Sequence, residues 1–305
     1  MLISATDSSV SRCSRAAVPG VPPHLLRCGA AVVAAATALL LAGCQGQVTV
    51  DLATDAPADR NIQQVTASIT GLEFRKDDGT LETVSFNNGE LVDLLDYLDG
   101  DAFRLFTNED LPDGSYSGVR LTFDTDAADD TQVVDVNGNT TPLVLAAGNY
   151  ADIDITVKNN SSSKDSVTLT LDLRQSLSFD SDDNEYTLQP FLRSVVTGDA
   201  GQITGTVNVT CPTGTSLATG GAVYLFVGDV TPDDRDGIGV EPYATTEVAT
   251  GGGYALRFLP AGDYTLAVTC RGNEEDPDSD DDLDFQNVDT VRLDENENQR
   301  FDFTN

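Results

Sequence analysis

From residue 48 onward, apolar side chains return at every second position in short runs, and most runs close on Gly, Pro, Asn or Asp. A repeat of two puts alternate side chains on opposite faces of an extended strand, so each run reads as a strand with one buried face. Val48, Val50 and Leu52 alternate with Gln47, Thr49 and Asp51, and Thr54-Asp55-Ala56-Pro57 then supplies a turn. Val65, Ala67 and Ile69 share one face. Past Gly71 the apolar parity moves to Leu72 and Phe74, which predicts a β-bulge at the glycine. Lys76-Asp77-Asp78-Gly79 turns the chain into a hairpin with residues 81–86, and Asn137-Gly138 marks another. Leu91, Leu94, Leu95 and Leu98 stand at helical spacing, although residues 92–95 read equally well as a strand. Further strands fall at 116–124, 131–136, 141–145, 153–157, 167–173 and 186–195. So many short strands separated by turn chemistry predict an all-β chain of antiparallel β-sandwiches.

Thr197-Gly198-Asp199-Ala200-Gly201 is a short polar joint, and it divides the chain into a domain over 48–198 and another over 199–305. In the second, Ile203, Val207 and Val209 share a parity with Cys211, and Tyr264, Leu266 and Val268 share one with Cys270. Residues 223–227 are apolar on both faces, as a central strand covered on each side would be. Leu-Pro-x-Gly-x-Tyr occurs twice, at Leu111 and at Leu259. Pro and Gly make the turn, and the Tyr hydroxyl can bond nearby backbone as in a tyrosine corner. Tyr116 is out of phase with Val119, Leu121 and Phe123, whereas Tyr264 is in phase with Leu266, so the two motifs share hairpin chemistry and do not indicate a duplicated domain.

Ahead of the strands lies a segment of another kind. Arg12, Arg15 and Arg27 precede a 14-residue apolar run, residues 28–41, that ends in Leu41-Ala42-Gly43-Cys44. A basic lead, a short apolar core and small residues before a cut form a secretory signal, and the run is short for a membrane span. Leu-Ala-Gly-Cys resembles the lipobox of bacterial lipoproteins. The resemblance implies a signal peptide over 1–43, cleavage between Gly43 and Cys44, and a lipid on Cys44. Residues 44–47 would form a tether that reaches at most about 14 Å. The expected location is the bacterial cell envelope, with membrane contact through the lipid. Gln45 in place of Asp after the Cys points, by the same resemblance, to the outer membrane.

The chain carries 50 acidic and 17 basic residues. Asp7, Arg12, Arg15 and Arg27 fall before Cys44, which leaves 49 acidic against 14 basic and a net charge of -35 for the remaining 262 residues. Such a surface repels nucleic acid and anionic headgroups, so no nucleic-acid partner is expected and attachment falls to acyl chains. High ionic strength relieves the self-repulsion of so acidic a chain, and a saline habitat accounts for the charge better than an acidic binding site does. His24, the one histidine, precedes Cys44, and Trp is absent. Without His there is no Ser-His-Asp or Cys-His arrangement and no ordinary His-bound zinc centre. Ser161-Ser162-Ser163-Lys164 matches Ser-x-x-Lys by letter but lies in a polar turn without the other parts of such a site. No enzyme is expected. Cys211 and Cys270 each extend the apolar face of a strand in an oxidising compartment, which predicts a disulfide, with two free buried thiols as the alternative.

Several local motifs then fall in a familiar order: Thr54-Asp55-Ala56-Pro57, Val92-Asp93-Leu94-Leu95, Leu111-Pro112-Asp113-Gly114-Ser115-Tyr116 with Val119-Arg120-Leu121, Leu169-Thr170-Leu171-Asp172, and Leu188-Gln189-Pro190. Over about 48–195 the chain resembles the bacterial lipoprotein family called domain of unknown function 4382, which implies an exported β-rich domain and supplies no reaction. Ile203-Thr204-Gly205-Thr206-Val207, Tyr254-x-Leu256 and Leu259-Pro260-Ala261-Gly262-Asp263-Tyr264 resemble the carboxypeptidase regulatory-like family, a transthyretin-type sandwich, over about 201–305.

Residues 274–284 hold eight acids in eleven positions. Asp276, Asp278 and Asp280, with Asp282 and Asp284 beyond, look like the start of a Ca²⁺ loop, because a hard cation takes several convergent oxygens. An EF-hand loop from Asp276 would need Gly sixth and Glu twelfth, where the chain has Asp281 and Asn287. A solvated acidic loop is the alternative. Asp229, Asp233, Asp234, Asp236 and Glu241 lie in a second acidic loop that can add ligands if the two meet. Asp180-x-Asp182-x-Asn184 reads as a hairpin tip. The leading expectation is a lipid-anchored, non-enzymatic binding or structural module whose partner is an envelope protein or glycan. A Ca²⁺-dependent adhesin or carbohydrate binder is the alternative, and an envelope-polymer hydrolase a remote third.

Overall fold

The computed structural model describes residues 46–124, 131–158, 164–281 and 283–304. Among the described residues twelve strands precede the joint: β1 (Gly46–Asp55), β2 (Ile62–Lys76), β3 (Leu81–Asp93), β4 (Phe103–Leu111), β5 (Gly114–Phe123), β6 (Gln132–Asp135), β7 (Thr140–Leu145), β8 (Ala151–Val157), β9 (Lys164–Asp172), β10 (Leu177–Asp180), β11 (Glu185–Leu188) and β12 (Leu192–Val196). One sheet runs β12-β9-β1-β4; the other runs β10-β11-β7-β6-β2-β5-β8, with β3 also on β2. One apolar cluster draws on both sheets, with Leu52, Ile69, Leu72, Phe74 and Leu169 almost wholly buried, so the two form a sandwich. Most pairs are antiparallel, but β1–β9 and β7–β11 are parallel.

Local signals settle most of this sandwich. Pairing slips between Ile69 and Gly71 against both β3 and β5, so the bulge falls at the glycine where the apolar parity changes. Gly71 has φ +156°, and a Cβ there would collide with the carbonyl oxygen of Val84. At Asn137-Gly138 the Asp135 carboxylate accepts from the amides of Asn137 (2.8 Å) and Asn139 (2.9 Å), and Gly138 takes φ +79°. The leucines at helical spacing do not make a helix of that length. Val92 pairs with Ala67 in the β2–β3 ladder, and only Leu94–Tyr97 coil, as one 3-10 turn capped by Asp93 (3.1 Å to the Leu95 amide). Residues 186–195 form two strands, because Pro190 has no amide hydrogen to give to a ladder.

The second sandwich comprises β13 (Gly201–Asn208), β14 (Ala222–Val227), β15 (Ala244–Glu247), β16 (Gly253–Leu259), β17 (Gly262–Thr269), β18 (Phe285–Leu293), β19 (Asn298–Arg300) and β20 (Phe303–Thr304), with one four-residue helix, α1 (Leu217–Gly220). Its sheets are β16-β13-β19, with β20 also on β13, and β15-β14-β17-β18. Ile203, Leu225, Leu256, Leu266 and Val268 are fully buried between them. Strand β14 lies inside its sheet and is covered on both faces, with Val223 and Leu225 toward one apolar cluster and Tyr224 and Phe226 toward another. The Cys211–Cys270 disulfide ties the chain after β13 to the end of β17. Both tyrosine corners form: Tyr116 donates to the carbonyl of Pro112 (2.6 Å) and Tyr264 to that of Pro260 (2.7 Å). A register shift between Tyr116 and Gly118 brings the out-of-phase tyrosine back to the core side, where it and Val119 are both buried.

The described residues form one compact unit, although no strand ladder among them crosses Thr197–Asp199. The two sandwiches are joined by buried polar groups. The Asp172 carboxylate, fully buried, accepts from the Thr245 amide (2.7 Å), the Thr245 hydroxyl (2.8 Å) and the Gln175 side-chain amide (2.9 Å). Arg193 pairs with Asp55 (2.6 Å) and donates across to the Arg257 carbonyl (3.1 Å). Arg174 donates to the Gly272 carbonyl. Arg60 reaches the carbonyls of Ala218 (2.9 Å), Gly221 (2.6 Å) and Val248 (3.2 Å). Each guanidinium comes from the first sandwich and satisfies backbone of the second, where an unpaired buried carbonyl would cost free energy.

Removing the Asp172 carboxylate strands the Thr245 amide and hydroxyl in a buried seam. Asp172→Ala is expected to lower the unfolding free energy by about 3 kcal/mol, and Asp172→Asn by less, in equilibrium denaturation. Asp55 gives a pH signature. Burial pushes its carboxyl from 3.8 up to about 6, against the pull of Arg193. The folded chain therefore keeps a proton that the unfolded chain has already released. The stability this contributes is present below the unfolded value and is lost as pH rises through about 6. In melts across that window, Asp55→Asn should flatten the decline; an unchanged slope would show that Asp55 titrates normally.

Candidate functional site

The outer face of the β15-β14-β17-β18 sheet carries Tyr224, Phe226 and Ala267, all fully buried, and the two acidic loops bury them. Residues 228–243 link β14 to β15, and residues 270–284 link β17 to β18. Because β14 and β17 are antiparallel neighbours, with Val227 opposite Tyr264 and Ala222 opposite Thr269, the loops leave opposite ends of the sheet. Both then fold back over the same face. Val230 and Val240 from the first loop and Leu283 from the second pack on the aromatic pair, with Phe285 edge-on to both rings. The Thr265 hydroxyl, which donates to the Gly228 carbonyl (2.7 Å) and accepts from the Val230 amide (3.1 Å), pins the first loop to the sheet. The second is held at its root by the disulfide, by the Gly272 amide on the Gly220 carbonyl (2.8 Å), and by Arg174.

Where the loops meet, carboxylates converge. The Asp281 amide donates to Asp234 Oδ2 (2.6 Å), and the Arg235 amide donates to Glu275 Oε1 (3.0 Å). Tyr224 reaches up from the sheet to donate its hydroxyl to Glu275 Oε2 (2.6 Å). Asp234, Glu275 and Asp281 bring carboxylate oxygens within 4.8 Å of one another. Asp234 is 1% exposed and Glu275 5%. Burial pushes the Glu275 carboxyl up to about 7, with the Tyr224 hydroxyl and the Arg235 amide pulling the other way. Burial also raises Asp281, and its neighbours Asp276 and Asp234 add to the effect. Three such oxygens suit either a shared proton or a hard cation such as Ca²⁺, whose remaining ligands would be water or backbone carbonyls.

The alternating acids fall elsewhere. Residues 276–279 curl into a turn, with the Ser279 amide on the Asp276 carbonyl (2.9 Å) and the Asp278 amide on Asp276 Oδ1 (3.1 Å). Asp276 thus spends a carboxylate oxygen capping its own turn, and its amide donates to Asp281 Oδ2 (2.6 Å). Asp278 lines a small pocket with Gln175, Phe191 and Arg235. Asp280 is exposed, Asp284 is exposed beside Arg271, and Asp282 lies outside the described residues. Among the described residues the converging set therefore takes Asp234 from the 228–243 loop together with Glu275 and Asp281 from the 270–284 loop. The sequence did signal a cover over this sheet face, since a strand apolar on both faces needs one and these loops are its neighbours, but not which carboxylates converge. The Asp180 tip is a plain polar turn, with Asp180 Oδ1 capping the Asp182 amide (2.8 Å). Gly43 and Cys44 lie outside the described residues.

Residues 45–190, from the start of β1 to just past β11, match the family model described as Domain of unknown function (DUF4382). No curated relative matches the chain. Among solved structures, the Bacillus anthracis TIE protein is 12% identical with a TM-score of 0.22, over 84% of this chain and 33% of its own, so this chain spans about a third of that protein. The major pilin protein T3.2 from Streptococcus pyogenes serotype GAS13637 is 14% identical with a TM-score of 0.17, over 86% of this chain and 99% of its own. A fimbrial protein from Bacteroides ovatus is 11% identical with a TM-score of 0.17, over 86% of this chain and 49% of its own. Likeness at this level leaves function to be argued from this chain's own residues.

Proposed function

We propose that this chain is a lipid-anchored protein of the bacterial envelope, sorted to the outer membrane, and that it works without catalysis as a binding or structural module. The observation that carries the reading is the succession of a basic lead, a 14-residue apolar run and Leu41-Ala42-Gly43-Cys44, with the first β-strand opening two residues later at Gly46. A lipid on Cys44 would hold the first sandwich close against the bilayer. The second sandwich, here a transthyretin-type accessory module, carries the acidic loops. The partner is an envelope protein or a glycan. In cells fed labelled palmitate, the wild-type chain should carry label and yield an intact mass that starts at residue 44. Cys44→Ser should carry none, and label on the Ser variant would end the reading.

A second reading, favoured by the convergence of Asp234, Glu275 and Asp281 from two separate loops, makes binding Ca²⁺-dependent. A cation there would relieve two buried carboxylates and lock the loops together. Ca²⁺ at about 5 mM should then raise the melting temperature of the full chain by a few degrees at constant ionic strength, and Asp234→Asn or Glu275→Gln should abolish the rise. No shift, or an equal shift in both variants, would retire the reading.

A further inference from the structure

Two sheet edges approach each other at a distance from the acidic loops. Among the described residues strand β8 pairs only with β5, and β12 only with β9, so each is an edge strand of its sheet. Near one end the edges are closed: the Leu192 amide donates to Asn149 Oδ1 (2.8 Å), Asn149 Nδ2 donates to the Leu192 carbonyl (3.1 Å), and the Ser194 hydroxyl donates to the Asp152 carbonyl. Beyond Ser194 they splay into a cleft of about 430 Å³, capped by the Pro260-Ala261 turn of the second sandwich. Its volume lies in the range of small-ligand sites.

The lining has two parts. Ile155, Val167 and Val195 form a buried apolar floor, and Val196, 39% exposed, continues it outward. Asp152, Asp154, Asp199 and Glu295, all exposed, stand round it, and none makes an ion pair among the described residues. A compact metal ion has no use for the apolar floor. A Lys or Arg side chain suits both parts, because its methylene stem lies on apolar surface while its head reaches the carboxylates. An extended backbone also suits two open strand edges, which offer amides and carbonyls for strand addition.

We propose that the cleft between β8 and β12 binds an extended, basic peptide segment of a partner protein, laid along the open edges with its Lys or Arg heads among Asp152, Asp154, Asp199 and Glu295. The inference deepens the reading of a binding module by giving the partner's chemistry. It stands apart from the anchor, because the same binding is expected of the Cys44→Ser chain. The probe is a labelled decapeptide of alternating Lys and Val, titrated into the full chain in detergent at about 150 mM NaCl. It should bind at least about tenfold more tightly than its Glu-Val counterpart. The Asp154→Asn/Glu295→Gln double variant should weaken binding by about fivefold or more, while Asp180→Asn/Asp182→Asn at the hairpin tip, which removes the same charge, leaves it unchanged. Hydrogen exchange should slow in residues 151–157 and 192–196 on binding. Three results would each overturn the proposal: no peptide binding, equal weakening by the two double variants, or displacement by spermidine at matched charge concentration with no protection of either edge.

Discussion

The Asp172 carboxylate and the three arginines around it hold the architecture together. Each sandwich has its own apolar core, and no strand ladder spans the two among the described residues. What joins them is a seam in which Asp172 takes donors from Thr245 and Gln175, while Arg60, Arg174 and Arg193 satisfy carbonyls on the far side. Such a seam differs from an apolar one in what it specifies. Hydrophobic contact tolerates sliding, whereas buried donors and acceptors are satisfied in only one arrangement and are costly in any other. The seam therefore fixes orientation more than it adds free energy. Arg193 and Asp55 illustrate this, since the desolvation that raises the Asp55 carboxyl offsets part of the attraction between them.

The same economy explains the acidic loops. A sheet face carrying Tyr224 and Phe226 has to be covered, and here irregular segments do the covering in place of a third sheet. Long loops of this kind hold only if their backbone groups find partners. The Thr265 hydroxyl, the Gly220 carbonyl and the Cys211–Cys270 bridge supply fixed points at their roots. At the crossing, backbone amides of one loop donate to carboxylates of the other, so acidic residues act as acceptors where a helix or strand would have offered carbonyls. That role accounts for Asp234 and Glu275 being buried while most of the chain's acids are not.

Features set by neighbouring residues were legible in the sequence. The bulge at Gly71, the turn at Asn137-Gly138, the two tyrosine corners and the two-faced strand at Val223 each depend on period or turn chemistry within a few positions. The helical spacing at Leu91 misled because the ladder with β2 claims Val92 before a helix can form. Long-range polar contacts were not legible. Arg193 reads as one polar position in a strand, and nothing local shows that it faces another sandwich instead of water. The meeting of Asp234 with Glu275 and Asp281 requires two loops that leave opposite ends of the sheet to fold back over one face, and the path of each loop is not written in its residues. The alternating acids from Asp276 assumed an extended loop; a turn at 276–279 removes the alternation.

The distribution of cations also bears on how an acidic surface comes to be patterned. Lys and Arg together number 17 against 50 acids. Of these few, Arg174 and Arg193 are wholly buried and Arg60 largely so, committed to the seam between the sandwiches. Each cation turned inward leaves carboxylates outside without a partner. Arg193, adjacent in sequence to the cleft residue Ser194, turns its guanidinium inward to Asp55 and a carbonyl, and so leaves the cleft's acids unneutralised by it. The residues that bind the two halves to each other are those that could have neutralised the exterior, and internal cohesion and outward charge are in this chain two consequences of one allocation.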